Sequence, residues 1–499
     1  MEMDQFQRAA DALRQDKFGE FAAEGLRVYP KSQADYAHVK LAMVKSGREK
    51  YLLAVGEGDL YRELEGEERG GFKLCRLTHE NRLVLNRYFP YTKPRAFGTK
   101  TATIGLGDRL GIASPGHIKT VAGREVRPIL AQQSIRELNL TGRDYNEVLD
   151  AACFAAFQEG YRDGFGADGD HLKREEDIRM ALDLGFSMLT LDCSDHIDNS
   201  AAALTEAEAK ARYGALPASV RTYFERTYAG KTFNVGGHAI AFDRESLPRM
   251  VLIYQKAIDF MLHIYNSYIK DAANEIDFEI SIDETATPTD PAAHYLIASE
   301  LYSRGVKVTS MAPRFCGEFQ KGIDYIGDIR QFERELAVHA AIADHFGYKL
   351  SIHSGSDKFS VFPIIAEHTK GRFHVKTAGT NWLEAMRTVA RVNPALYRRM
   401  HAYALEHFEE ATAYYHVSAD IGKVRPLSVT SDAELPDYMS ENNARQLIHI
   451  TYGILLQAKD ESGRPLFKDE LYATLSDHED DYEGALIRHI GRHLELLVK

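Results

Sequence analysis

Apolar and polar positions change rhythm near residue 96 of the chain. Before it, short apolar runs such as YLLAVGEG and FKLCRLT alternate with helical patterns such as NRLVLNRYF, and YFPYTKPRAFG closes the segment with two prolines. Residues 1–95 therefore read as an N-terminal α/β extension. Beyond them, short apolar or β-branched runs end in polar residues and are followed by helix-like stretches. The runs are TKTATIGLGDRLG, RPILAQQS, GFGADGDH, SMLTLDCSDH, DFEISIDET, KVTSMAPRFCGE, YKLSIHSGSDK and GRFHVKTAGT. Eight strand–helix units are what a TIM-type (β/α)8 barrel requires, and the pattern predicts one over residues 96–390.

Helices are legible between several runs. REEDIRMALDLG follows the third, and DIRQFERELAVHAAIADHFG follows the sixth. The latter opens near Asp328 and closes with His345 and Gly347, an order that suits the helix macrodipole and a glycine C-cap. Far more chain separates the fourth and fifth runs than one crossover helix needs. LTEAEAKARYGALPASVRTYFERTYAGKTF and MVLIYQKAIDFMLHIYNSYIKDAANE predict a helical insertion there, at about residues 200–272, over the barrel mouth. Residues 391–499, with ALYRRMHAYALEHFEEATAYYH and IRHIGRHLELLVK, predict a C-terminal helical region packed on the barrel.

Composition narrows the class. A chain of 499 residues, 44% hydrophobic and 27% charged, buries a large core. Its net charge of -12 argues against a nucleic-acid or acidic-membrane binder while leaving room for a local basic pocket that takes an anionic small molecule. Cys75, Cys153, Cys193 and Cys316 form no CxxC pair, so neither a zinc knuckle nor a disulfide framework is indicated, and a reducing cytoplasm fits. The start, MEMDQFQRAADALRQ, lacks the basic end and apolar run of a signal peptide, and no apolar stretch is long enough to span a bilayer. GLGDRLG fails as a dinucleotide fingerprint: Leu110 stands where the third glycine of GxGxxG belongs, and Pro115 and Gly116 interrupt the expected helix.

Polar residues at the carboxyl ends of barrel strands gather at one face, where such enzymes place their sites. The candidates are Asp108, Gln133, Asp170, His171, Asp192, His196, Asp283, Glu284, Arg314, Glu318, His353, Asp357, Lys358, His374 and Lys376. In GFGADGDHLK, Asp168, Asp170 and His171 are crowded between glycines, either as a solvated turn or as the rim of a site. Period-two alternation aims His374 and Lys376 the same way, and His171 and His353 sit at other strand ends. Together the three histidines are candidate ligands for zinc, nickel or manganese, against the blander reading of hydrogen-bonded structural imidazoles. Asp170 and Glu284 are candidate general base and acid. Their alternatives are a GADGD turn and a helix cap between Asp283 and Pro288. Asp192, Asp195 and His196 form a rival cluster. Gln133, Arg314, Lys358 and Lys376 are candidate substrate contacts, Lys358 being either an anion binder or a solvated loop charge.

The motifs GDRLGIASPGHI, AQQSIREL, FQEGYRDGFGADGDHLKREEDI, SDHIDN, DETATPT, GEFQKGIDYIGDI, SIHSGSDKFSVFP, FHVKTAGTNWLEA and RQLIHITYG, in this order, closely resemble the tagaturonate epimerase family. The resemblance runs from about residue 96 to the end and is looser before it. It implies a cytoplasmic, divalent-metal-dependent epimerase that interconverts D-tagaturonate and D-fructuronate in hexuronate catabolism, with neutral ketohexoses as further substrates. Carried over position by position, it makes Asp170 the proton acceptor and Glu284 the proton donor. It makes His171, His353 and His374 the metal-binding residues. The competing classes are an aldose–ketose isomerase or an aldolase acting on sugar acids, and a sugar-binding protein, which would normally be exported.

Overall fold

In the computed structural model, which describes residues 2–285 and 287–498, strand alternation explains how the first hundred residues are built. Strands β1 (Leu26–Tyr36), β2 (Val39–Ser46), β3 (Glu49–Gly56), β4 (Glu67–Arg69) and β5 (Phe72–Arg76) form one antiparallel sheet in the order β1-β2-β3-β5-β4. Neighbouring residues of β2 and β3 go to opposite faces. Ala42, Val44, Leu53 and Val55 pack with Phe6, Ala9 and Leu13 of the Glu2–Arg14 helix. Leu41, Met43, Leu52 and Ala54 pack with Leu85, Phe154 and Phe157, which fastens the sheet to the Tyr145–Gln158 helix of the barrel layer.

The barrel strands are short and buried except at Arg127 and His171, which are half-buried, as expected of parallel strands covered on both faces. They are β6 (Thr103–Gly105), β7 (Arg127–Ser134), β8 (Gly166–Leu172) and β9 (Met188–Asp192), and later in the chain β12 (Asp277–Ile282), β13 (Ser310–Pro313), β14 (Lys349–Ile352) and β15 (Phe373–Lys376). All pair in parallel, and β15 pairs with β6 through His374 opposite Thr103 and Lys376 opposite Gly105, closing a barrel of eight strands. The TIM-type architecture is thus the one the apolar runs predict.

The long interval between β9 and β12 holds the helices Glu206–Gly214, Ala218–Tyr228 and Leu247–Ile264 together with a hairpin, β10 (Lys231–Val235) and β11 (His238–Phe242). Two expectations are corrected here. The insertion is not wholly helical: Gly236 and Gly237, at φ 56° and 89°, supply the two left-handed positions of a two-residue hairpin turn. Nor does it cover the mouth. Phe233 stacks on Tyr295 at 4.8 Å between ring centroids, and Phe242 lies 5.0 Å from Tyr228, so the hairpin packs on the helices Pro291–Ser303 and Ile329–Phe346 outside the barrel.

The C-terminal helices cover the mouth instead. Trp382, Leu383 and Met386 of the Thr380–Val392 helix share a core with Leu447, Tyr452, Leu471 and Leu486. Ile490 and Leu494 of the Glu479–Leu497 helix join the barrel's own core. This packing brings the Asn442–Ile450 helix over the carboxyl ends of the strands.

Candidate active site at the carboxyl face of the barrel

A cavity of about 90 Å³ lies at this face and is lined by strand ends from around the barrel. Strict alternation along GADGDH would send Asp168 and Asp170 inward and His171 outward. The strand departs from it: the register with β9 shifts between Gly169 and Leu172, and His171 adopts a left-handed φ of 53°. A bulged, left-handed residue re-aims its side chain, so Asp170 and His171 both line the cavity although they are neighbours.

Beneath them, the buried Lys376 ammonium lies 2.6 Å from Asp170 Oδ1, 2.9 Å from Asp168 Oδ2 and 2.9 Å from Glu279 Oε1. Burial favours the neutral amine, but the three carboxylates outweigh it and hold the Lys376 pKa well above the ordinary lysine value. Lys376 is therefore a fixed positive charge and not a Schiff-base nucleophile. The same contact acts on Asp170. Burial would raise its pKa, yet Lys376 overrides this and keeps the carboxylate ionised, well below the usual range. Gln132 Nε2 donates to Asp170 Oδ2 at 3.2 Å and fixes its plane. Asp168, with burial the larger influence, is pushed up to about 6.

His353 is held between two carboxylates. Its Nε2 lies 2.8 Å from Glu279 Oε1, and its Nδ1 lies 3.2 Å from Asp283 Oδ2. A carboxylate on Nε2 selects the tautomer that presents the Nδ1 lone pair. The His171 ring stands edge-on to it, 4.8 Å between centroids, with Nδ1 3.4 Å from Asp192 Oδ2. Neither Nδ1 has a hydrogen-bond partner of good geometry. Ligand atoms of His171, Asp192 and Glu284 lie within 4.8 Å of one another. Burial disfavours a charged His353, but Asp283 outweighs it and pushes the imidazole up to about 10, so this corner attracts a positive charge. Paired imidazoles beside carboxylate oxygens fit zinc, nickel or manganese.

Other candidates from the sequence are placed elsewhere. Gln133 lies on the opposite face of β7 from Gln132 and does not line the cavity; Gln132 does. Lys358 is wholly buried, and its Nζ donates to the carbonyls of Gln320, Ile323 and Ser356, so it holds a loop and is not available to an anion. Arg314 donates through Nη1 to the Thr285 carbonyl and through its backbone N–H to Thr289 Oγ1, bracing the segment that carries Glu284. His374 sits one layer below Lys376, donor or acceptor to Thr103 Oγ1 at 2.9 Å, and burial pulls its pKa down to about 3. That placement sets it apart from the side chains lining the cavity. Asp108 accepts from the backbone N–H groups of Leu110, Gly111, Ala113 and Ser114, shaping a turn. His196 stacks on Phe260 at 4.0 Å. Sequence reasoning missed Gln132, Glu279, Arg109, Arg136, Lys321 and His449.

The loop after β14 is held by a separate device. Ser354 and Asp357 both take left-handed backbone, at φ 49° and 63°. Asp357 Oδ2 accepts from Arg445 Nη2 at 2.7 Å, Oδ1 contacts His489 Nε2, and its N–H donates to His493 Nε2 at 3.0 Å. These contacts commit the oxygens of Asp357 and the free nitrogen of His493, so the group is an ion-pair latch tying the His353 loop to the C-terminal helices. Asp357→Ala is expected to lower stability by about 3–5 kcal/mol, because it strands the buried Arg445. Denaturant unfolding measures this, and a loss under about 1 kcal/mol would show that the latch does not operate.

A parallel barrel with an ionised, lysine-bound carboxylate beside paired imidazoles and further carboxylates defines an acid–base barrel enzyme. The chain belongs to the tagaturonate epimerase family, whose model, described as UxaE, tagaturonate epimerase, matches residues 29–497. It is 44% identical over 487 residues to the tagaturonate/fructuronate epimerase of Thermotoga maritima, covering 97% of this chain and 98% of that one. It is similar to the crystal structure of the fructuronate-tagaturonate epimerase UxaE from Cohnella laeviribosi, with 64% identity, a TM-score of 0.95, and 98% and 99% of the two chains covered. The two-glycerol complex of that enzyme matches at 63% identity and a TM-score of 0.95 over 100% of both chains.

Proposed function

We propose that the protein is a divalent-metal-dependent epimerase that interconverts D-tagaturonate and D-fructuronate by inversion at C4, with neutral ketohexoses as secondary substrates and cytoplasmic hexuronate catabolism as its setting. Family membership and the activities for which its relatives are named support the substrates. The observation that carries the chemistry is the Asp170–Lys376 pair: a carboxylate held ionised at the rim of the cavity, next to His171.

C4 is beta to the C2 ketone, so its hydrogen is not acidified and enolisation cannot invert it. Cleaving the C3–C4 bond can. Asp170 accepts the C4 hydroxyl proton as C4 becomes an aldehyde carbon, and the bond's electron pair moves to C3, giving the enediolate of dihydroxyacetone beside tartronate semialdehyde. Rotation of the aldehyde and re-addition to its other face return the proton and invert C4. Glu284, whose carboxylate lies within 4.8 Å of ligand atoms of His171 and Asp192, serves the opposite proton transfer. His171 and His353, with the carboxylates Asp192, Asp283 and Glu284 near them, would hold a divalent cation, which would supply Lewis acidity where oxygen charge develops. Lys376 stays an ammonium and keeps Asp170 ready to accept.

Incubation of metal-loaded protein with tagaturonate in D2O, followed by NMR, tests both the reaction and its route. Fructuronate with protium at C4 is the expected product. An aldose product would make the protein an isomerase, accumulated three-carbon fragments would make it an aldolase, and deuterium at C4 would replace bond cleavage by proton exchange at carbon between Asp170 and Glu284.

A further inference from the structure

One part of the cavity is not used by this chemistry and carries the opposite charge. Arg109, Arg136, Lys321 and His449 line it together with the acid–base residues. They come from four separate places: the turn after β6, the helix Ile135–Thr141 after β7, the loop after β13, and the C-terminal helix Asn442–Ile450. Arg109 is 1% exposed, and its guanidinium carbon lies over Tyr452, 3.8 Å from the ring centroid. Its Nε and Nη2 donate to Glu137 Oε1 at 3.1 and 2.9 Å, while the buried Nη1 has no acceptor. Burial of an unpaired guanidinium N–H is costly, so a free donor here points to a missing anion.

The neighbouring groups agree. Lys321 Nζ donates to Ser354 Oγ at 3.0 Å and keeps two further N–H donors. Burial first, then the nearby Arg136 and Arg109 charges, lower its pKa, which places the three cations in electrostatic contact. No acidic side chain of the described residues forms an ion pair with Arg136 or Lys321. Glu137 is engaged by Arg109, and the carboxylates Asp170 and Glu284 act on Lys321 and Arg136 only from beyond ion-pair distance. His449 is buried with both ring nitrogens unpartnered. It reaches this position because Gly379 and Gly322 give it space: a Cβ at Gly379 would fall 2.1 Å from its Nε2, and one at Gly322 would fall 3.0 Å from its Nδ1.

We propose that Arg109, Arg136, Lys321 and His449 form the subsite for the C6 carboxylate of the sugar acid and thereby set the preference for hexulosonates over neutral ketohexoses. The proposal rests on the epimerase reading and deepens it. C6 carries the substrate's only charge, and on this side of the cavity that charge replaces the acceptor that Arg109 Nη1 lacks. Seating C6 there directs the C1–C2 end toward His171 and His353 and leaves C4 between, at Asp170.

Binding measured without turnover separates this subsite from the reaction. In an Asp170→Asn background, calorimetry with tagaturonate and with tagatose gives the affinity ratio of the two sugars. Losing one charged hydrogen bond is expected to weaken tagaturonate binding about 10- to 100-fold in Lys321→Met and Arg136→Met, and to narrow the ratio by the same factor. Lys321→Arg and Arg136→Lys are expected to recover most of the preference. Two results would overturn the subsite: a background protein that binds tagatose as tightly as tagaturonate, or methionine variants that weaken both sugars equally. Failure of the wild-type protein to epimerise tagaturonate would instead overturn the reaction and is read from turnover alone.

Discussion

Asp170→Asn is expected to lower kcat for tagaturonate by about 10²–10⁴-fold, the range for removal of a positioned acid or base. The amide is nearly isosteric, so the contact with Gln132 has a partner and the cavity keeps its shape. What disappears is the charge that accepts the proton. KM is expected to change much less than kcat, because Asp170 acts on a hydrogen that moves in the transition state. The substitution also removes one of three carboxylates around Lys376, leaving Asp168 and Glu279 to hold the ammonium, so circular dichroism and metal content should match the wild type. Glu284→Gln is expected to show the same split between kcat and KM. If Asp170→Asn retains a rate within tenfold of wild type, the base lies elsewhere, and Asp192, 3.4 Å from His171 Nδ1, is the next carboxylate to replace.

Strand number and order were legible because each barrel strand is a short apolar run ending in polar residues, a signal that survives without tertiary context. Strand parity was legible only where alternation is regular. In AQQS a one-residue error separates Gln132, which faces the cavity, from Gln133, which does not, and both are buried glutamines with nothing local to tell them apart. In GADGDH the candidates Asp170 and His171 both line the cavity, but the bulge that lets these neighbours share it depends on pairing with β9. The hairpin in the insertion was missed although KTFNVGGHAIAF carries a Gly-Gly turn between alternating strands; the helical stretches on either side dominated the reading. Lys358 shows the converse error. Glycine and serines around a lysine suggest an anion loop, yet in HSGSDK the three backbone carbonyls that receive its Nζ come largely from a loop more than thirty residues earlier. The cationic side of the cavity had no local signature at all. Arg109, Arg136, Lys321 and His449 are scattered over more than half of the chain and meet only because the C-terminal helices close over the barrel.

Removal of divalent metal is expected to abolish epimerisation, and one of zinc, nickel or manganese to restore it. The site's own electrostatics argue for this. Asp168, Asp170, Glu279 and Asp283 are buried or half-buried close together, and Asp192 and Glu284 stand beside His171, while Lys376 is the ammonium bound among the first three. Burial should drive carboxylates toward protonation, yet Asp170, Asp283 and Glu279 are all held below their ordinary values by Lys376, by His353, or by both. At this corner a multivalent cation would take over the part that the His353 proton plays in balancing these carboxylates. His171→Ala and His353→Ala are each expected to reduce metal content measured by elemental analysis. Glu279→Gln, which touches the imidazole and not the candidate Nδ1 position, is expected to weaken metal affinity by about 10- to 100-fold while leaving the ligands in place. Thoroughly demetallated protein that still epimerises tagaturonate at the wild-type rate would remove the cation from the reaction and leave the two histidines as hydrogen-bonding groups for Asp192, Glu279 and Asp283.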